Sequence, residues 1–318
     1  MRFRNAFRLT MDNFVNVYKL LLFRLITGAL FFSLAYVIIN LGLHDIFSSA
    51  EVERIITLAA EFFRSFVTDR TAFLESFQEE FTAAIGDFLA LLGANIGSIV
   101  GSLIGVCVIY LVARFVNGTA TFALGGIIHD KMKFYSRTGF ASAYFKNIGK
   151  SVMYQLIYVP LGFVYDVLSL LFCWFFFFFT PSFLPSWGVL TFLVGLSLAV
   201  AAYICLQAIK LTFISAWIPS VVSGDCTVTG GFVNSLKRFR GFGGRFSSFL
   251  MTIYLVVVLN VVFAVCTLGS LLLISVPASY LLILGVQFVY YFEDNGKKYF
   301  LSFRKISGAD GKPESMGD

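Results

Sequence analysis

The feature that most constrains this chain is a set of six apolar stretches, each about as long as a helix that crosses a bilayer. They cover approximately residues 20–43, 94–116, 152–179, 188–215, 249–266 and 270–292. A hydrocarbon core about 30 Å thick needs roughly 20 apolar helical residues. Backbone polar groups must be paired inside lipid, so each stretch is predicted to be a helix. The sequence therefore predicts an all-α integral membrane protein with six transmembrane helices.

The distribution of charge predicts the orientation of these helices. Residues 44–93 are strongly acidic, whereas most Lys and Arg lie in the tails, in two other long loops or close to the ends of the spans. By the positive-inside rule, residues 1–19, 117–150, 217–247 and 293–318 are cytosolic, and so are both termini. The net charge of +6 is then an orientation signal that predicts anionic lipid headgroups as partners and no nucleic acid. We expect the cytoplasmic membrane as the location.

Similar basic, aromatic segments precede each pair of spans, around Ala6, Ala143 and Ser235. The first interval exceeds the second by about the length of the acidic stretch 44–93. We therefore predict three hairpins of parallel topology in one membrane domain, residues 1–292, whose first hairpin carries the stretch 44–93 as an external insertion. Apolar residues at helical spacing indicate that the insertion forms amphipathic helices outside the membrane. The polar residues 293–318 are expected to form a largely disordered cytosolic tail.

One segment resembles a loop of certain bacterial multi-pass membrane families. It reads WIPSVV from Trp217 to Val222 and continues as GFVNSLK over residues 231–237. The chain resembles the membrane domain found with bacterial glycerophosphodiester phosphodiesterases, and related uncharacterised multi-pass families, over residues 200–260. The sequence contains neither the soluble phosphodiesterase domain nor its catalytic carboxylates and histidines. The resemblance thus implies an architecture and a bacterial origin, and it implies no activity.

Four glycines recur every fourth residue in the second span: Gly93, Gly97, Gly101 and Gly105. Glycines at this spacing lie along one side of a helix and let a second backbone approach closely. We expect them to pack against a neighbouring span of the same chain. The alternative is self-association into a homo-oligomer or contact with a partner membrane protein.

Several polar side chains fall near the predicted cytosolic ends of the spans. They are Arg24, Arg114, Gln155, Gln207, Lys210 and Gln287. Long cationic side chains at such depths commonly extend to the headgroups. The alternative is a polar vestibule between the hairpins that opens to the cytosol, which the three glutamines favour.

Asp166 is predicted to lie near the middle of the third span, and Asn260 lies at a comparable depth in the fifth. An ionised carboxylate in hydrocarbon costs roughly 3 kcal/mol or more. Lys210 is expected about 16 Å closer to the cytosol, beyond the reach of its side chain. We therefore expect Asp166 to be protonated and hydrogen-bonded towards Asn260, or ionised in a hydrated cavity.

No motif assigns a catalytic or metal site. The two histidines, His44 and His129, fall on opposite predicted sides, the five cysteines form no C-x-x-C pair, and no nucleotide or hydrolase motif occurs. We expect no enzyme activity, no metal and no cofactor. The central carboxylate favours transport of a small solute, ion or lipid, although the inverted repeats of many ion-coupled transporters are not visible. The alternative is a non-catalytic membrane component that organises lipids or partner proteins.

Overall fold

The computed structural model describes residues 2–68, 71–134, 138–183, 189–238 and 241–297 of the 318-residue chain. All regular secondary structure within these residues is helical. In chain order the helices are α1 (Arg2–Asp12), α2 (Val15–Phe47), α3 (Ala50–Thr68), α4 (Thr71–Ala94), α5 (Ile96–Phe134), α6 (Phe140–Phe183), α7 (Val189–Ile214), α8 (Trp217–Val222), α9 (Val228–Lys237), α10 (Phe242–Thr267) and α11 (Leu272–Asp294).

Among the described residues, six helices are long and apolar enough to cross a membrane. These are α2, α5, α6, α7, α10 and α11. Large apolar side chains project from them, such as Phe32 and Leu41 of α2, which are 75% and 78% exposed. Lipid chains would cover such surfaces, because they are as apolar as the side chains themselves. The predicted all-α membrane fold is confirmed.

Helices α5 and α6 are longer than a bilayer is thick. They contain 39 and 44 residues, which correspond to about 58 and 66 Å of helix. A bilayer with its headgroups measures about 40–45 Å. The prediction of a loop over residues 117–150 is therefore wrong, because α5 continues to Phe134 and α6 already begins at Phe140. The apolar tract ends near residue 116, but protein packing supports the helix beyond it.

The acidic insertion is helical and consists mainly of α3 and α4. The two helices pack on each other, and the ring centroids of Phe62 and Phe77 are 4.8 Å apart. Arg54 of α3 also pairs with Asp87 of α4 at 3.1 Å. Both of these charged side chains are about half exposed, so the ion pair contributes little to stability.

The chain forms two compact units. The smaller unit comprises residues 26–114, which include most of α2, the insertion and the first part of α5. The larger unit comprises residues 1–25 and the chain from residue 115 onward. Within the larger unit, the long apolar helices from α6 onward pack in chain order: α6 on α7, α7 on α10, and α10 on α11. Helix α1 also packs on α11.

The best-buried part of the larger unit is the region where the end of α5 meets α8 and the end of α11. Trp217 of α8 is 1% exposed, and its indole Nε1 donates to the carbonyl oxygen of Val228 at 2.8 Å. A Cβ on Gly125 of α5 would lie 3.4 Å from both Ile218 of α8 and the ring of Phe288 of α11, so the three helices are in contact at this point. The ring of Tyr154 of α6 lies 4.4 Å from that of Trp217 between centroids, so the same core also contacts α6.

Candidate functional site

An ion pair joins α6 and α7 within their apolar segments. Lys210 Nζ lies 2.7 Å from Oδ1 of Asp166, and Gln207 Nε2 donates to the same oxygen at 3.2 Å. Gln207 and Lys210 are three residues apart on α7 and therefore share one face of the helix. The side chains of Lys210 and Asp166 are only 11% and 23% exposed. Two opposite charges are thus largely enclosed between two apolar helices.

This contact overturns the predicted separation between Asp166 and Lys210. The expected separation of about 16 Å from Lys210 is wrong, because the two side chains touch. About 26 Å of helix separates Asp166 from Phe183 at the end of α6, and about 32 Å separates Val189 at the start of α7 from Lys210. The two residues therefore lie at similar depths when counted from the connection between the helices. The difference in depth that hydropathy predicted between the two residues was therefore too large.

Tyrosine rings surround the ammonium group of Lys210. Its Nζ is 5.9 Å from the ring centroid of Tyr158 and 5.6 Å from that of Tyr165. A cation is attracted to an aromatic face at such distances. The Tyr165 hydroxyl also donates to the carbonyl oxygen of Leu206 at 2.6 Å, which ties α6 to α7 beside the ion pair.

A further tyrosine extends the site towards α2, α5 and α11. The guanidinium carbon of Arg24 lies 4.7 Å from the ring centroid of Tyr280. The Tyr280 hydroxyl is hydrogen-bonded to Thr121, and Tyr280 lies near Tyr158. We call the whole group the polar cluster, and its members are Arg24, Thr121, Tyr158, Tyr165, Asp166, Gln207, Lys210 and Tyr280.

The tyrosines of the polar cluster were not among the residues selected from the sequence. A signal for two of them was present, because Tyr158 and Tyr165 are seven residues apart and lie on one face of a helix next to Asp166. No comparable signal exists for Tyr280, which reaches the cluster from a helix distant in the sequence.

The side chains predicted to form a vestibule do not all lie together in the structure. Three of them join Asp166 in the polar cluster: Arg24, Gln207 and Lys210. Gln155 and Gln287 are instead buried in the protein, at 1% and 3% exposure. The Oε1 atom of Gln287 has no hydrogen-bond partner among the described residues. Arg114 belongs to the smaller unit.

Asn260 does not bind Asp166 and forms a separate polar group between α10 and α11. Ser275 donates to Asn260 Oδ1 at 2.5 Å, and Asn260 Nδ2 donates to Ser279 Oγ at 3.2 Å. The predicted hydrogen bond towards Asp166 is therefore replaced by two bonds to serines. They are available because α10 and α11 pack directly on each other.

The glycine stripe begins with Gly93 at the end of α4, continues with Gly97, Gly101 and Gly105 on α5, and meets a neighbouring helix at one end only. A Cβ on Gly105 would lie 3.0 Å from Ile38 of α2, whereas a Cβ on Gly93, Gly97 or Gly101 would have no described atom within 4 Å. The expected close packing thus occurs at Gly105 and is not found at the other three. Each step of four residues rotates by about 40° around a helix with 3.6 residues per turn, so the stripe turns away from α2.

A second charged group lies outside the apolar segments, in the loop between α8 and α9. Asp225 accepts hydrogen bonds from the Tyr291 hydroxyl and from Lys297 Nζ. Burial alone would raise the pKa of Asp225, but the hydrogen bonds from Lys297 and Tyr291 and the charge of Lys297 outweigh it and lower the pKa. This group fastens the loop to the end of α11 and to the first residues of the polar tail.

The described residues contain no candidate metal centre, and no related protein was found for comparison. Among the described residues, no cluster of three or more His, Cys, Asp or Glu side chains could hold a metal ion. Comparison with protein families, with curated proteins and with solved structures finds no match to this chain. At the centre of the polar cluster, a carboxylate and an ammonium group form an ion pair, with an amide and aromatic rings beside them.

Proposed function

We propose that this six-span protein moves a small solute or ion across the membrane and that the polar cluster lines part of the route. The observation that carries the proposal is the Asp166–Lys210 pair, enclosed between two helices apolar enough to span a bilayer. A buried ion pair is often no more stabilising than apolar residues of similar size, because both ions lose their hydration. Charges in spanning segments commonly mark ion or substrate pathways.

The ion pair between Asp166 and Lys210 can be broken if a ligand takes the place of one of its two members. A proton or a cation that reaches the carboxylate of Asp166 would release the ammonium of Lys210, and an anionic solute would compete for that ammonium. The faces of Tyr158 and Tyr165 would hold the released ammonium in place. Ligand binding would then be linked to the contact between α6 and α7. A ligand that binds one conformation more tightly than another shifts the protein towards the first.

The location and orientation belong to the same proposal. We place the chain in the cytoplasmic membrane of a bacterium with both termini in the cytosol, as a protein without enzymatic activity. The concentration of Lys and Arg in the tails and in two connections supports this orientation.

Access to the polar cluster from the two sides of the membrane tests the proposal without knowledge of the substrate. In a variant whose five native cysteines are replaced, Gln207→Cys introduces one thiol beside the ion pair. We expect an impermeant thiol reagent to label it in right-side-out and in inside-out vesicles, because a transport site must face each side in turn. Leu198→Cys, on an exposed apolar position of α7, is the control that should be labelled from neither side.

Labelling of Gln207→Cys from neither side, or from one side only whatever ion gradient is imposed, would contradict transport. The non-catalytic alternative would then be preferred. A specific observation favours that alternative: the short helix α1 exposes Phe3, Phe7 and Met11 beside arginines, as helices that bind membrane surfaces do.

A further inference from the structure

A second site candidate is a groove between α1, α10 and α11, which we call the α1 groove. Its volume is about 340 Å³, and most of its lining side chains are apolar, among them Phe7 and Met11 of α1 and Phe263 of α10. This volume falls within the range of small-molecule sites. Its lining on α11 extends from Ile274 to Leu282, which is about 12 Å along the helix. The groove is therefore elongated and suited to a chain-like apolar ligand.

One polar group interrupts the apolar lining. Asn260, Ser275 and Ser279 all line the groove and are hydrogen-bonded to one another. The bond to Ser279 uses one of the two donors of the Asn260 amide. A ligand with an oxygen acceptor part-way along its length would find a hydrogen-bond donor at this point.

Helix α1 forms one wall of the groove and carries both apolar and basic side chains. Phe3, Phe7 and Met11 are 40–50% exposed, and Arg4 and Arg8 are exposed within one turn of Phe7. Its opposite face packs tightly on α11, where a Cβ on Gly285 would lie 3.5 Å from the carbonyl oxygen of Ala6. Exposed aromatic and basic residues on one short helix are typical of helices that bind anionic lipid surfaces.

We propose that the α1 groove binds an anionic phospholipid. One acyl chain would occupy the apolar part, the phosphate would lie at Arg4 and Arg8, and the glycerol ester oxygens would face Asn260 and Ser279. The interfacial layer on each side of a bilayer is roughly 5–8 Å thick, and Ser279 lies about 9 Å along α11 from Gly285, where α1 packs. This separation is slightly larger than the thickness of that layer, so the ester groups of a lipid whose phosphate lies at α1 would lie near Ser279. This proposal is independent of transport at the polar cluster.

The site can be tested by native mass spectrometry of the purified full chain in detergent, with phosphatidylglycerol or phosphatidylcholine added. Ala278→Phe fills the groove, and we expect it to weaken binding of phosphatidylglycerol about tenfold or more, since an entire contact surface is lost. Ala199→Phe is the matched control. It makes the same change in the apolar groove between α6 and α7, which lacks both the amide and the arginines, and it should leave binding unchanged.

The headgroup is tested with Arg4→Gln combined with Arg8→Gln. We expect the preference for phosphatidylglycerol over phosphatidylcholine to fall by about fivefold for each cation removed, as expected of a single charge near the lipid surface. An unchanged preference would overturn the assignment of an anionic headgroup.

Equal binding of phosphatidylglycerol by the wild type and by Ala278→Phe would overturn the site itself. If Ala278→Phe fails to fold, Ser279→Ala replaces it, because it removes only a hydroxyl group from the lining. Ser279→Ala should still weaken binding several-fold, and full binding by this variant would equally contradict the proposal.

Discussion

Gly42 of α2 faces Ser102 of α5 so closely that a Cβ on Gly42 would overlap the serine hydroxyl. We predict that Gly42→Leu destabilises the smaller unit by about 1–3 kcal/mol or more, because there is no room for the new side chain. Gly101→Leu is the control, since a Cβ there would have no described neighbour within 4 Å. Thermal unfolding in detergent should show a lower melting temperature for Gly42→Leu alone.

The same pair of variants also tests self-association. If Gly101→Leu lowers the apparent mass in detergent while its melting temperature is retained, the glycine stripe contacts a second copy of the chain. Equal melting of Gly42→Leu and the wild type would contradict the close packing of α2 on α5.

The ion pair predicts that the effects of two substitutions are not additive. Asp166→Asn removes the charge that faces Lys210 in a largely enclosed position, and we expect a loss of roughly 3 kcal/mol of stability. The double variant Asp166→Asn with Lys210→Gln should be closer to the wild type, because no charge is left in the enclosed site. Melting temperatures of the four proteins measure the coupling. Additive losses would show that the two residues do not stabilise each other.

Trp217 and Trp174 provide a contrast between a buried and an exposed indole. Trp217→Phe removes the hydrogen bond to Val228 and leaves a small cavity, so we expect a loss of about 1–3 kcal/mol. Trp174 is 60% exposed on an apolar helix, and Trp174→Phe should change stability by less than about 0.5 kcal/mol. Unfolding followed by circular dichroism avoids dependence on the altered fluorophore. Similar losses for both variants would place Trp217 outside the core.

Asp225 makes part of the stability dependent on pH. Its pKa is lower in the folded protein than in the unfolded chain. Its contribution to the free energy of unfolding is therefore complete above the ordinary pKa and is lost as the pH falls through the folded-state pKa. We predict that Asp225→Asn melts at a lower temperature than the wild type at neutral pH. The difference should begin to shrink as the pH falls to about 4, the ordinary pKa of Asp. It should disappear only below the lower folded-state pKa, where the carboxylate is protonated in both states. A difference that does not depend on pH would exclude the charge of Asp225 as its cause.

Labelling of single cysteines tests the proposed orientation. In a variant without native cysteines, Ser48→Cys in the turn after α2 should react with an impermeant reagent added to intact cells. Gly139→Cys, at the start of α6, should react only after the membrane is opened. Both positions are exposed, so accessibility within the protein does not limit the reaction. Labelling of Gly139→Cys in intact cells would contradict the proposed orientation of the chain in the membrane.

Local chemistry was enough to identify the spanning helices and the helical insertion. Inside lipid, a stretch of about 20 apolar residues pairs its own backbone groups by forming a helix, so the number and approximate positions of the spans follow from local sequence. The same holds for residues 44–93, in which apolar side chains recur at helical spacing and appear in the structure as α3 and α4.

The contacts between the helices could not be read in this way. Asp166 meets Lys210, and not Asn260, because α6 packs on α7, whereas Asn260 lies on α10 and is hydrogen-bonded to α11. The extension of α5 beyond residue 116 is buried by α8 and α11, so its helix is stabilised by protein where hydropathy indicated a loop. Sequence periodicity determines which face of a helix is apolar. The depth at which two helices meet, and the partner each polar side chain finds, depend on tilt, helix length and packing, which only the tertiary structure decides.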